Sequence, residues 1–242
     1  MSAPSLAARV GAIGWYHTLE LPGGVVTPGW FDTRPVVPRL PWPTSLRGRR
    51  ALDVGTFDGF WAFEMERRGG QVVGLDTDEI PPPDTPLIHR AALEAQAAGD
   101  RTGKGFEVLK RYFGSAAERR RVNIYDLAPE AVGGAVDVAF VGAVLLHLRD
   151  PVRALERVHA TMSPGATLIC FEPVDAKLSR RRHPLARYLA LDTPWTWWYP
   201  NRAALVQWVA TAGFRDVNVR GSSWVFDRTG NRQLLTAVHA LR

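Results

Sequence analysis

The stretch "LDVGTFDGF", residues 52–60, puts Asp53, Gly55, Thr56, Phe57, Asp58 and Gly59 in one short run. Glycines in such a run let backbone approach a ligand closely. A helix that follows presents its free N–H groups at the same place. A dinucleotide fingerprint uses G-x-G-x-x-G there, because a pyrophosphate lies against those amides. Here Phe57 stands in place of the middle glycine and Asp58 follows it. The ring crowds a pyrophosphate and the carboxylate repels one. The pattern fits a ligand without phosphate, whose ammonium Asp53 can reach directly or through water.

Two further carboxylates extend the reading. Asp76 closes "QVVGLD", 23 residues after Asp53, where a carboxylate can accept hydrogen bonds from both ribose hydroxyls. Asp126 follows "VNIY" and is placed to accept from an adenine amino group. A nucleoside with an amino-acid tail and no phosphate is S-adenosylmethionine (SAM). The residues expected to hold it are Asp53, Gly55, Thr56, Phe57, Gly59, Asp76 and Asp126, with Gly142 and Ala143 past the fourth strand. His147 and His17 have the side chain suited to a general base. Each equally suits a structural role, His147 in the cofactor loop and His17 in a lid.

Alternating short apolar runs and helical stretches must position these groups. Strands are expected at 50–54, 71–75, 122–125, 136–141, 166–171, about 215–221 and 232–240, and helices at about 59–68, 104–113, 151–161 and 201–212. Asp150 followed by Pro151 reads as an N-cap with proline at the first helical position. "MSPGA" reads as a turn before the fifth strand. Residues 1–48, rich in Pro, Gly and Trp, form a lead-in or lid. Residues 49–242 form the ligand-binding domain, interrupted at about 173–200 by "RRRHP" and "TPWTWWYP", an expected cap. Trp15, Tyr16, Trp30, Glu172, Trp195, Trp198 and Tyr199 are candidates to line the acceptor side, the rings by stacking or by facing a cation. The alternative for the rings is a small core beneath the cap.

Composition bounds the class. The chain has 242 residues, 46% hydrophobic, and a formal charge of +6. Only Lys104, Lys110 and Lys177 are lysines among 30 basic residues, so the arginine bias need not mark a binding surface. The arginine runs 119–121 and 180–182 are either solvated faces or phosphate contacts. Cys170, the single cysteine, sits in "ATLICF" and reads as core. No basic stretch with an apolar run opens the chain, and no run approaches the roughly 18 apolar residues of a membrane helix. A soluble cytoplasmic protein without metal or membrane partner is expected.

The strand and helix order resembles the Rossmann-like, seven-stranded, mostly parallel sheet of the class I SAM methyltransferases, an α/β fold with helices on both faces. Four stretches narrow the resemblance: "WYHTLELPGGVVTPGWFD" (15–32), "LDVGTFDGFWAFEMERRG" (52–69), "VGAVLLHLRDPVRALE" (141–156) and "WYPNRAALVQWVATAGF" (198–214). They are similar to SAM-dependent methyltransferases related to the tRNA wobble-uridine (carboxymethyl/methoxy-uridine) enzymes. In that family the tRNA enzymes use carboxy-SAM. The resemblance implies that they hold its extra carboxylate with an N-terminal lysine, a tyrosine before the histidine of "LLHLRDP", and an arginine near the C-terminus. Here no lysine precedes Lys104, Leu146 occupies the tyrosine position, and only Arg232 can match the third. Burying an unpartnered carboxylate costs several kcal/mol, so SAM is expected and carboxy-SAM is not. The family's tRNA enzymes also carry a longer N-terminal extension.

The function expected from these features is SAM-dependent O- or N-methylation of a small molecule beneath the aromatic cap. A tRNA wobble-uridine modifier is the second reading, with tRNA the lesser partner. A third is an intramolecular reaction of SAM that releases methylthioadenosine. A fourth is a SAM-binding module without turnover.

Overall fold

A computed structural model describes residues 5–21, 23–97 and 102–242. Helix α1 (Leu6–Gly11) and the ribbon of β1 (Glu20–Leu21) with β2 (Val25–Val26) open the chain. The nucleotide-fold elements follow as β3 (Arg50–Val54), α2 (Phe60–Arg67), β4 (Gln71–Asp76), α3 (Leu87–Ala97), α4 (Lys104–Phe113), β5 (Glu118–Arg121), β6 (Val136–Gly142), α5 (Pro151–Thr161) and β7 (Met162–Val174). A second ribbon pairs β8 (Ala186–Tyr188) with β9 (Trp198–Pro200), and α6 (Arg202–Thr211), β10 (Arg215–Phe226) and β11 (Arg232–Leu241) close the fold. The seven-stranded sheet has the order β10-β11-β7-β6-β3-β4-β5. Its β7-β6-β3-β4-β5 pairs are parallel, and β11 is antiparallel to both β7 and β10.

Strand alternation divides the core into two layers. Leu52, Val54, Ala139, Val141, Leu168 and Cys170 face one way and pack on α5 and α6. Ala51, Val138, Phe140, Ile169 and Phe171 face the other and pack on α2, α4 and the lead-in. Cys170 is buried in the first of these layers, and burial pushes its thiol well up. Helix α5 begins as the sequence predicts, with Asp150 accepting from the Arg153 N–H at 3.0 Å ahead of Pro151. Asn201 caps α6 in the same way, accepting from Ala204 N–H at 2.8 Å.

Three differences from the sequence reading have physical causes. The third strand is not 122–125 but Glu118–Arg121. It lies at the sheet edge with a single neighbour, so its charged residues need no apolar pattern. Ile124 is buried from a 3-10 turn instead. The fifth strand starts at Met162, four residues early, and Gly165 with φ +76° absorbs the kink where a turn was expected. Helix α3 was not foreseen; only its Leu93 is buried, so it lacks an apolar stripe.

The lead-in docks as extended backbone. Trp30 and Phe31 N–H donate to the Trp15 and Tyr16 carbonyls at 3.1 and 2.8 Å, and Thr18 N–H donates to Phe31 O at 2.9 Å. Gly29 sits against this crossing: a Cβ there would lie 2.1 Å from the His17 carbonyl carbon and 2.2 Å from Thr18 N. Backbone cannot yield as a side chain can. Gly29→Ala is therefore expected to destabilise by about 1–3 kcal/mol, and to expose residues 15–31 to limited proteolysis before the sheet unfolds. Hydrogen exchange unchanged at Thr18 and Phe31 would contradict this.

Candidate active site

A cleft of about 700 Å3 opens at the C-terminal ends of β3, β4 and β6, the edge where open α/β sheets bind ligands. The β3–α2 loop forms its floor. Gly55 and Thr56 N–H both donate to the Leu75 carbonyl at 2.9 Å, and Gly59 N–H donates to Thr56 O at 2.7 Å. Gly55 has φ +71°, and a Cβ on it would lie 2.6 Å from Val144 Cγ2. The glycine is thus required by both its conformation and the opposite wall. Phe57, with φ +44°, holds the left-handed position of the tight turn, and its N–H donates to Asp76 Oδ2 at 3.0 Å.

Asp58 ties this loop to the lead-in. Buried to 1% exposure, its Oδ2 accepts from Tyr16 N–H at 3.0 Å and His17 N–H at 2.7 Å. Its Oδ1 accepts from His17 Nδ1 at 2.8 Å. The imidazole also stacks on Phe60, with centroids 4.8 Å apart. Because Nδ1–H donates to the carboxylate, the neutral ring keeps Nε2 as its acceptor. Both Tyr16 and His17 line the cleft; burial raises the Tyr16 phenol well above its ordinary value.

The other predicted residues divide into those at the cleft and those behind it. Gly55, Phe57, Asp76, Gly142, Ala143, His147, Trp30 and Trp195 line it. Asp76 lies at the end of β4, where its Oδ1 accepts from Thr77 N–H at 2.7 Å. Burial raises its pKa, and Arg119, 3.9 Å away, opposes the rise. His147 Nδ1 is bonded to the Trp195 carbonyl. A carbonyl only accepts, so Nδ1 carries the proton, and burial holds the ring below the ordinary histidine range.

Asp53, Thr56 and Gly59 are packed beneath the loop and do not line the cleft. Asp53 alternates away from Leu52 and Val54 toward α2. It lies near the Thr56 hydroxyl and Ala62 N–H without closing a full hydrogen bond to either, and burial pushes it up to about 7. Asp126 is exposed, because the strand it was expected to follow ends at Arg121. Asn123, Ile124 and Tyr125 occupy the wall instead. Trp15 is buried with its indole N–H on Val10 O at 2.9 Å. Trp198 and Tyr199 lie in β9 and do not line the cleft, with the Trp198 indole donating to Arg149 O at 3.0 Å. Trp197, expected in the same aromatic cluster as Trp195, Trp198 and Tyr199, is buried. It staples the cap, its indole donating to Asp84 O at 2.7 Å and its backbone N–H to Leu146 O at 2.8 Å. Arg119 is not a solvated charge: it pairs with Asp78 against the β4 end.

Glu172 also lies behind the wall. Its Oε1 accepts from Val144 and Leu145 N–H at 2.8 and 3.1 Å, while Oε2 is buried without a partner. Its role is to hold the turn that carries Leu146 and His147.

The cleft's charge tests the expected cofactor. Asp76, Glu79 and Asp84 line it, and no Lys or Arg does so among the described residues. Such a lining repels a polyphosphate and suits the sulfonium and ammonium of SAM, with Val54, Leu75 and Ile124 as apolar wall.

Burial pushes Glu172 up to about 8 from an ordinary 4.5. Between those values the unfolded chain has lost this proton and the folded chain retains it. The contribution to stability is therefore full below about 4.5 and lost as pH rises toward about 8. Thermal unfolding is expected to show a falling Tm from about pH 5 to about pH 8. Glu172→Gln should shallow that slope, leaving the part due to Asp53, which has the same sign. An unchanged slope would place the titration elsewhere.

A family profile described as a methyltransferase domain matches residues 33–219. The tRNA U34 carboxymethyltransferase of Saccharophagus degradans is 30% identical over 182 residues, 73% of this chain and 48% of that protein. That of Pseudoalteromonas translucida is 28% identical over 185 residues, 75% of this chain and 49% of its own. The chain thus spans about half the length of these relatives. A solved structure of the 1,6-didemethyltoxoflavin-N1-methyltransferase of Burkholderia thailandensis superposes with a TM-score of 0.53 at 17% identity. It covers 81% of this chain and 72% of its own, and at that identity speaks for the fold. The names of the sequence relatives correct two expectations: the small-molecule acceptor as the leading reading, and tRNA as the lesser partner. The chain belongs to the methyltransferase-domain family and is a SAM-dependent transferase.

Proposed function

We propose that this protein modifies the wobble uridine, U34, of tRNA, with plain SAM as donor. The observation that carries the acceptor is the similarity along 73% of the chain to tRNA U34 carboxymethyltransferases. The donor rests on the cleft. Leu146 stands where the resemblance puts tyrosine, and the guanidinium of Arg232 lies over Trp224, 4.6 Å from the ring, and outside the lining. A donor with a second carboxylate would meet three carboxylates and no cation among the described lining residues.

SAM supplies a methyl group already activated by its sulfonium. Gly55 and Phe57 offer it close backbone, Asp76 accepts from its ribose, and Gly142 and Ala143 close the far side. The lead-in covers the site through Tyr16 and His17. The methyl passes from the sulfonium sulfur to the oxygen of a hydroxyl already carried on the uracil ring at position 34, S-adenosylhomocysteine leaves, and His17 takes the hydroxyl proton at Nε2, with Asp58 fixing its tautomer. His147 is the weaker base, because its desolvated ring resists a positive charge.

Purified protein, methyl-labelled SAM and tRNA from cells lacking this gene make the test. Label is expected in nucleosides from position 34, and absent when that position is cytidine. No label in RNA overturns the acceptor. Tighter binding of carboxy-SAM than SAM by calorimetry overturns the donor. His17→Asn is expected to lower kcat by on the order of 10²-fold, with SAM affinity nearly unchanged, and His147→Asn by less than tenfold.

A further inference from the structure

We propose that Trp30 and Arg228 form a stacking platform for a nucleotide beside the target base, an assignment that rests on the tRNA reading above. Trp30 lines the cleft mouth and is 37% exposed. The guanidinium of Arg228 lies 4.1 Å from its ring centroid. The exposed arginine presents its outer face to solvent, so a base can add as a third layer.

The pair is built in. Arg228 N–H donates to Trp30 O at 2.8 Å, and Phe31 bridges to Asp227. The β10–β11 turn is braced by Asp227, whose Oδ1 accepts from Thr229 N–H at 2.8 Å and Asn231 N–H at 2.9 Å. That carboxylate is engaged within the turn, and Arg228 has no ion pair among the described residues. Other arginines, such as Arg34, Arg67 and Arg119, are paired. The arrangement recurs on the same hairpin, where Arg232 covers Trp224 and Phe226 is exposed. Residues 215–242 carry five arginines and two acidic residues.

Charge separates the two parts of an RNA ligand. The acidic cleft admits a base and repels phosphate, so the backbone must remain at the rim, where these arginines stand. A base drawn into a pocket leaves its neighbour unstacked. An aromatic–guanidinium face at the mouth replaces the lost stacking, a sequence-tolerant contact typical of single-stranded RNA recognition.

The test compares an anticodon stem–loop containing U34 with an RNA duplex of equal phosphate count, both binding in the presence of S-adenosylhomocysteine. Arg228→Ala and Trp30→Ala are each expected to weaken the stem–loop on the order of tenfold, and the duplex less than twofold. Trp30→Phe should recover most of the loss. Arg228→Lys should not, since an ammonium keeps the charge and loses the planar stack. Full recovery by Arg228→Lys, equal losses for both RNAs, or no loss overturns the platform. Wild-type protein that labels no tRNA fails the parent reading instead; wild-type labelling with Arg228→Ala binding unaltered fails the platform alone.

Discussion

The site depends on one buried carboxylate, Asp58. It receives the backbone of Tyr16 and His17 and the His17 ring, so a single residue of the β3–α2 loop sets where the lead-in crosses the cleft. A buried carboxylate with this many donors is stable only while they stay in place, because unmade charged hydrogen bonds are costly. Loop and lead-in therefore order together. Gly29 reinforces the crossing by bringing backbone against the His17 carbonyl. Gly105 completes it by leaving room for Trp15 beside Asp58.

A second constraint is the separation of charge. The chain carries a formal +6, yet the described lining of its cleft has three carboxylates and no Lys or Arg. Arginines are directed elsewhere: into i,i+3 and i,i+4 pairs such as Arg67 and Arg68 with Glu64, into the Asp78 pair, and onto tryptophan rings. Glu64, shared by Arg67 and Arg68, is largely buried, as are Arg119 and Asp78, so these arginines are engaged within the fold and are not presented to the cleft. An acidic interior with a basic, aromatic rim suits a ligand whose reactive part is a neutral base and whose remainder is anionic.

Much of this was legible in the sequence, for reasons that differ between residues. Asp76 closes an apolar run and lies at the cleft as the pattern implies. Asp53 closes an equally clear strand, but period-2 alternation turns it toward α2 and away from the ligand side. Asp126 was misplaced by register: an edge strand of "ERRR" has no hydrophobic signature, so the apolar "VNIY" drew the assignment four residues too far. The role of Asp58 was not readable because its partners lie 41 and 42 residues upstream, and no local periodicity links them. The tryptophans were visible as a group. Which of them stack on solvent and which staple the cap depends on where each indole N–H finds a carbonyl, a tertiary fact.

If the proposed function holds, donor and acceptor are read by different parts of the molecule, which separates their specificities physically. The donor side is formed by strand ends and the tight loop, whose geometry is fixed by backbone hydrogen bonds and by glycines with no room for a side chain. One wall of the cleft is formed by the turn carrying Leu146, held from below by Glu172 through backbone N–H groups. Because the carboxylate grips backbone, the side chain at position 146 can change without moving the turn. On the proposed reading, exchanging leucine for tyrosine there would change which donor is tolerated while the rest of the cleft keeps its shape. The acceptor side is formed by the lead-in, the cap and the β10–β11 turn, joined to the sheet by contacts such as Phe31 with Asp227 and Trp197 with Leu146. On the proposed reading, a relative can share the acceptor while differing in the group transferred, and Leu146 is one of the positions, with the absent lysine and the displaced Arg232, where that difference would be expressed.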